Sequence, residues 1–252
     1  NNGISGLEKS LDDQLKKNRD AIQLTVDKDI QFLIREELIK YNQIFRSNGS
    51  AAILMNVNNG EIISLVSIPD FDPNLRANIT DRNYINRVTK GVYEFGSVFK
   101  TFTLAAAFHE DIIEPQTQFK NLEKKLICGK NTISEYDEKI PSDLSAEQIL
   151  IRSGNIGSVR IGQSLGIEKF RKFIDKLNLI NPIKFDIEEV GVPIPFNWGK
   201  CKLATTSYGH GITTTILQLA NAYSVIVNGG YEIRSTLIKK KTYKKREKIL
   251  KN

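Results

Sequence analysis

The sequence predicts an α+β fold, and three observations predict it. One β-rich hairpin pattern stands early, apolar stretches with helical spacing fill the middle and the end, and no repeat recurs at a fixed period. At 252 residues the chain is long enough for one large domain or two small ones with a sizeable core.

Residues 1–20 are polar and start at Asn1-Asn2-Gly3, so they read as a linker from a preceding domain, with the folded body at 21–252. Near Ala21, Ile22, Leu24 and Val26 alternate with polar or smaller residues and predict a short strand. Asp27 can cap a helix whose apolar positions are Ile30, Leu33, Ile34 and Leu38. Ala51 to Val57 and Glu61 to Ser67 form the hairpin, because Asn58-Asn59-Gly60 between them accept positive φ; Pro69 and Pro73 then open a loop.

Gly96 to His109 is apolar and Ala-rich and reads as a buried helix, with Thr101, Leu104, Ala105 and Phe108 on one side. Ser145 and Gln148 make a capping-box pattern before Ile149-Leu150-Ile151. Gly154, Gly157, Gly162 and Gly166 punctuate a region of short helices, of which Ile167 to Leu177 is the longest. Gly191 to Trp198 is loop. Thr215 to Val227 is a last apolar helix, stopped by Gly229-Gly230.

Composition narrows the function. No run approaches the roughly eighteen apolar residues of a membrane span, and mean hydropathy is −0.29. Two Cys and two His show no metal-ligand spacing, and no glycine loop for phosphate is present, so neither a metal nor a cofactor is expected. The segment Lys239 to Asn252 carries seven Lys, Arg246 and one acid, which equals the whole net charge of +7. The body is therefore neutral, no nucleic-acid partner is expected, and the tail reads as a solvated or frayed end with one aromatic, Tyr243. Cys128 and Cys201 read equally well as a pair or as two buried thiols.

Two spots carry chemistry. Ser97 and Lys100 stand at i and i+3, on one helix face with Cβ atoms about 5–6 Å apart. A desolvated Lys100 loses its preference for the ammonium form and can act as general base for the serine. The spacing arises by chance in a Lys- and Ser-rich chain, so alone it reads as a capping serine beside an unrelated lysine. Ser153-Gly154-Asn155 could aim a hydroxyl and an amide into one cleft, or could simply close a helix. A histidine triad is the competing enzymatic reading, with His210 a better cleft candidate than His109. No Gly-x-Ser-x-Gly elbow accompanies either.

Taken together, Tyr93-Glu94-Phe95-Gly96-Ser97-Val98-Phe99-Lys100, Ser153-Gly154-Asn155 and Ser207-Tyr208-Gly209-His210-Gly211 leading into Leu217 to Tyr223 resemble the penicillin-binding transpeptidases, most closely the class B, division-type enzymes. Ser5-Gly6-Leu7-Glu8, the hairpin and Asn228-Gly229-Gly230 match in family order, from about Gly3 to Leu237. Phe95, Val98 and Ile216 stand where the family usually has Pro, Thr and Pro. No Lys-Thr-Gly or Lys-Ser-Gly follows; Lys241-Thr242-Tyr243 is the near match. The expectation is an incomplete domain, lacking its C-terminal strands and poorly active alone.

The resemblance implies a serine β-lactamase/transpeptidase-like fold, an antiparallel sheet flanked by helices. It implies D,D-transpeptidation of peptidoglycan through a serine acyl-enzyme. Ser97 is the implied nucleophile, Lys100 its base, Ser153 a proton shuttle and Asn155 the substrate-amide contact. Implied partners are stem peptides, β-lactams and a membrane glycan polymerase of the division machinery. The implied place is the outer side of the bacterial inner membrane. Alternatives are a D,D-carboxypeptidase or β-lactamase on the same scaffold, and a non-catalytic penicillin-binding module.

Overall fold

A computed structural model describes residues 3, 5–17, 21–72, 85–242 and 246–251. Among these, the chain opens with α1 (Gly6–Ser10), α2 (Asp12–Lys17), α3 (Lys28–Phe45), β1 (Ser50–Met55), β2 (Ile62–Ile68) and β3 (Val92–Tyr93). A 3-10 turn (Gly96–Phe99) leads into α4 (Lys100–His109), β4 (Gln118–Phe119), β5 (Lys125–Cys128), β6 (Asn131–Ser134), β7 (Leu144–Ser145) and α5 (Ala146–Ile151). Then come α6 (Asn155–Leu165), α7 (Ile167–Lys176), α8 (Lys200–Thr206), β8 (Thr214–Thr215) and α9 (Ile216–Val227). The fold is α+β, as expected. No helix among the described residues is long and apolar enough to cross a membrane. Pro73 and Tyr243 lie outside the described residues.

The chain divides into two compact units, the first made of 1–93, 181–193 and 215–250. Its frame is the antiparallel pair β1–β2, in register Ala51↔Ser67 to Leu54↔Ser64. Gly60, at φ 77°, closes the turn, where a side chain would strike the Arg234 carbonyl. Alternation in β2 buries Ile62, Ser64, Val66 and Ile68, as a half-covered strand requires. The strand expected near Ala21 reduces to one antiparallel bridge, Leu24 to Ile238, beside a parallel bridge from Glu61 to Thr236. Thr25 fixes it, its hydroxyl donating to the Ile62 carbonyl at 2.6 Å.

Asp27 caps α3 by accepting the amides of Asp29 and Ile30 at 3.0 and 3.1 Å. Ile30, Ile34 and Leu38 are half-buried as expected, but Leu33 is exposed. The reason is Gln31, whose side chain donates to the Leu65 carbonyl and accepts from the Leu65 amide and Ser64 hydroxyl, turning position 33 away from β2. Thr215 caps α9, and Gly229 and Gly230, both at positive φ, end it. The basic tail is no frayed end where it is described. Lys239 pairs with Glu61 at 2.6 Å, Arg246 reaches the Val57 carbonyl and the Tyr231 ring, and Leu250 is buried on Gly230.

The second unit comprises 94–180, 194–214 and 251–252. Its core holds Leu104, Ile149, Ile156, Val159 and Ile161 from α4, α5 and α6, and α7 adds Phe170, Phe173 and Ile174. The face of α4 differs from the sequence expectation. Lys100, Phe102, Thr103, Leu104, Ala106 and Ala107 are buried, whereas Thr101, Ala105 and Phe108 are only partly covered, because helices pack on more than one side of it. Gly157 and Gly162 do not punctuate short helices either; both lie inside α6, which exceeds α7 in length. They are glycines because a Cβ at Gly157 would sit 2.6 Å from Ile149, and one at Gly162 would collide with Ser207.

A second hairpin, β5–β6, pairs Lys125↔Ser134 through Cys128↔Asn131, and Gln118-Phe119 pair with Leu144-Ser145. The long helical middle therefore contains strands that hydrophobic spacing did not signal, since β6 buries one side chain, Ile133. The Ser145–Gln148 capping box forms as expected. Cys128 and Cys201 are joined as a disulfide, tying β5 to α8 across 73 residues. Cross-linking a loop of that length contributes roughly 2–4 kcal/mol in natural proteins. Replacing both cysteines by serine is expected to lower unfolding free energy by about that amount, measured by denaturant titration of the oxidised protein.

Candidate active site

The predicted residues gather in the second unit, on the first turn of α4 and the start of α6. Ser97 lies in the 3-10 turn and is exposed, and its carbonyl accepts the Lys100 backbone amide. One turn on, Lys100 is fully buried. The tight 3-10 winding produces this contrast, placing the serine at the surface and the lysine in the core within three residues.

Lys100 has specific partners. Its Nζ donates to the Ser153 carbonyl at 2.5 Å and to the Ser153 hydroxyl at 2.9 Å. Burial lowers its pKa from 10.5 to about 8, while the negative charge of Glu135 acts in the opposite direction. The neutral amine is therefore far more accessible near neutral pH than it is for an exposed lysine, although the ammonium form still predominates. Ser153 presents both oxygens to one ammonium by adopting φ 54°, a left-handed conformation uncommon for a residue with a side chain.

Asn155 opens α6 beside this turn. Its Nδ2 donates to the Ser134 carbonyl at 2.9 Å, which fixes the amide plane. Its backbone amide and that of Ile156 donate to the Glu135 carboxylate, at 2.6 and 2.9 Å. The structure thus joins Lys100 to Ser153 directly, and joins Asn155 to the end of the β5–β6 hairpin.

The Ser207 to Gly211 segment completes the surroundings. The Thr103 hydroxyl donates to the Ser207 carbonyl at 2.8 Å. Gly209, at φ 84°, lies so close to the Gly96 carbonyl that a Cβ could not fit, so this loop rests on the turn that carries Ser97. Tyr208 and His210 stack in parallel planes, with centroids 6.1 Å apart, and His210 Nδ1 lies 3.3 Å from Glu94. His109 Nδ1 instead accepts the Lys251 backbone amide at 3.1 Å, and burial, its largest influence, lowers its pKa. Each histidine thus has a local partner that accounts for it without a triad.

An exposed serine, a buried lysine one turn later and a Ser-x-Asn turn against that lysine are the arrangement expected of a nucleophile, a base and an amide contact. The model of the penicillin-binding protein transpeptidase domain matches residues 50–252. The chain belongs to this family. A protein of Caulobacter vibrioides named "Probable peptidoglycan D,D-transpeptidase FtsI" is 32% identical over 94% of this chain and 41% of its own length. One of Neisseria flavescens, "Probable peptidoglycan D,D-transpeptidase PenA", is 27% identical over 93% of this chain and 58% of its length. The chain spans about half the length of these relatives. Among solved structures, penicillin-binding protein 3 from Mycobacterium tuberculosis has the same fold, with a TM-score of 0.85, 20% identity, and coverage of 99% of this chain and 61% of that one.

Around this candidate site, sequence reasoning missed Ser134 and Glu135. One signal existed. The N-cap of α6 is Gly154, which offers no side-chain acceptor, so the first amides of that helix had to find one elsewhere. The lowered Lys100 pKa gives a testable consequence. Between about pH 8 and 10.5 the unfolded chain binds a proton that the native state lacks, so native stability gains as pH rises through that window. The stability difference between the parent and Lys100→Met is therefore expected to grow in the parent's favour across those values and to stay flat below pH 8, as read by denaturant unfolding at several pH values. A flat difference throughout would mean that the amine titrates normally.

Proposed function

We propose that this chain is the catalytic part of a peptidoglycan D,D-transpeptidase, with Ser97 as nucleophile. The observation that carries the reading is the buried Lys100 amine, held on Ser153 one turn after an exposed serine. The names of the relatives support the choice of substrate.

In the first half-reaction neutral Lys100 takes the proton of the Ser97 hydroxyl, and Oγ attacks the carbonyl of the penultimate D-alanine. The Ser97 N–H, among the free amides at the start of the helical segment, faces the charge that develops on that oxygen. Collapse breaks the peptide bond, and the proton passes from Lys100 through the Ser153 hydroxyl to the departing D-alanine amine. An ester on Ser97 remains. In the second half an amine from a neighbouring stem peptide loses its proton along the same path and attacks the ester, which restores Ser97 and forms the cross-link. The Asn155 side chain, its nitrogen held by Ser134, presents its oxygen to the substrate amide.

A β-lactam follows the same first step. Ser97 opens the strained ring and keeps the product as an ester, so the family's antibiotic sensitivity rests on the same serine and lysine. The Cys128–Cys201 disulfide supports a location outside the reducing cytoplasm, on the outer face of the bacterial inner membrane. A membrane glycan polymerase of the division machinery, which supplies the strands to be joined, is the partner this reading implies.

The test is covalent. Mass spectrometry after incubation with benzylpenicillin is expected to show one adduct, on the peptide containing Ser97, and none in Ser97→Ala. Lys100→Arg keeps the charge but cannot release a proton near neutral pH, so acylation is expected to fall by roughly 100-fold or more. An adduct persisting in Ser97→Ala, or an Arg variant acylating at the parental rate, would overturn the assignment. Product analysis with a stem-peptide donor separates transfer, which gives a dimer, from hydrolysis, which gives a free acid.

A further inference from the structure

Glu135 stands outside the serine, lysine and Ser-x-Asn constellation, yet it binds the backbone of Asn155 and its charge acts on Lys100. It follows β6 directly and is half-buried. Its two carboxylate oxygens accept the first two amides of α6, from Asn155 at 2.6 Å and Ile156 at 2.9 Å. Those amides have no partner inside the helix, and the partial positive charge of a helix N-terminus adds to their pull on an anion. The residue before it, Ser134, holds the Asn155 side chain through its carbonyl. Asn155 follows Ser153 by two residues, so the grip on α6 also sets where Ser153 presents its oxygens to Lys100.

We propose that Glu135 is a positioning residue for acyl transfer: its carboxylate locks the Ser153–Asn155 turn onto Lys100 and supplies the negative charge that the buried amine faces. Among the described residues, the other elements packed on α4 offer no equivalent. On α6, Arg160 is bound to Glu123 and Gln163. On α7, Lys169 pairs with Glu110 and Arg171 with Asp175, and the charged side chains of that helix lie on its exposed or half-exposed side. On α5, Glu147 and the capping Arg152 are exposed; on α8, Lys202 is held by the Gly211 carbonyl and the Phe196 ring.

Two consequences separate this role from simple support of the fold. Removing the charge while keeping the size, by Glu135→Gln, withdraws the group that favours protonated Lys100. It also puts an amide nitrogen, a donor, where an acceptor is needed, so the Ser153–Asn155 turn loosens. Glu135→Asp keeps the charge but shortens its reach by one methylene, so it should preserve the titration and lose part of the alignment.

The proposal rests on the acyl-transfer reading, and the experiment keeps the two apart. Lysine labelled with 13C at Cε is titrated by NMR in the parent and both variants, with Lys100→Arg assigning the signal. The rate of benzylpenicillin acylation is measured over the same pH range. For Glu135→Gln the Lys100 midpoint is expected to fall by about half a unit to one unit, the midpoint of the rate profile to fall with it, and the maximal rate to drop about tenfold. For Glu135→Asp the midpoint is expected to stay, with a smaller loss of rate. An unchanged Lys100 midpoint in Glu135→Gln overturns the proposal. Should that variant not fold, Glu135→Asp decides: a lowered maximal rate at the parental midpoint supports the proposal, and parental behaviour in both overturns it. The NMR arm needs no turnover, so failure of the parent to acylate counts against the acyl-transfer reading alone.

Discussion

An amine cannot be buried without partners, and the second unit is organised around meeting that requirement for Lys100. A lysine with no exposed surface must either lose its proton or find acceptors, and here both happen in part. The acceptors are the two oxygens of Ser153, which forces the residue into the left-handed region and sets the start of α6 against the start of α4. Ser97 is carried to the surface by the same turn that buries the lysine, so the proposed nucleophile and base are fixed by one short piece of backbone.

The remaining features keep those two helix starts in place. Gly162 lets α6 approach Ser207, and Gly209 lets the next loop lie on Gly96; a methyl group at either would push the segments apart. The Cys128–Cys201 disulfide connects the hairpin that ends in Ser134 and Glu135 with the helix that leads to Ser207. Two sides of the site are therefore held by one covalent bond in addition to packing. Glu135 itself closes the arrangement, since the helix it caps has a glycine where a capping side chain would normally stand.

How legible this was depended on whether the signal was local. The Asn58-Asn59-Gly60 turn, the Asp27 cap, the Ser145–Gln148 box and the Gly229-Gly230 stop are decided by neighbouring residues, and each formed where the sequence placed it. Ser97, Lys100, Ser153 and Asn155 could be named because the two motifs that hold them, together with Ser207 to Gly211, are shared with a family, although no single motif was decisive. What stayed hidden depends on distant partners. The β5–β6 hairpin has one buried side chain and so no hydrophobic alternation to read. The disulfide joins positions 73 residues apart, and spacing alone left it open. Leu33 was misplaced because a polar residue, Gln31, and not an apolar one, fixes the rotation of α3 on β2.

The account stands on one geometric statement, that the base serving Ser97 is a lysine held on the Ser153 oxygens. A crystal structure of the protein after reaction with benzylpenicillin tests it most directly. The account predicts continuous density from Ser97 Oγ into an opened β-lactam, with Lys100 Nζ still within hydrogen-bond distance of Ser153. An ester on a different side chain, or a Lys100 turned out of the core and away from Ser153 in the acylated protein, would contradict it.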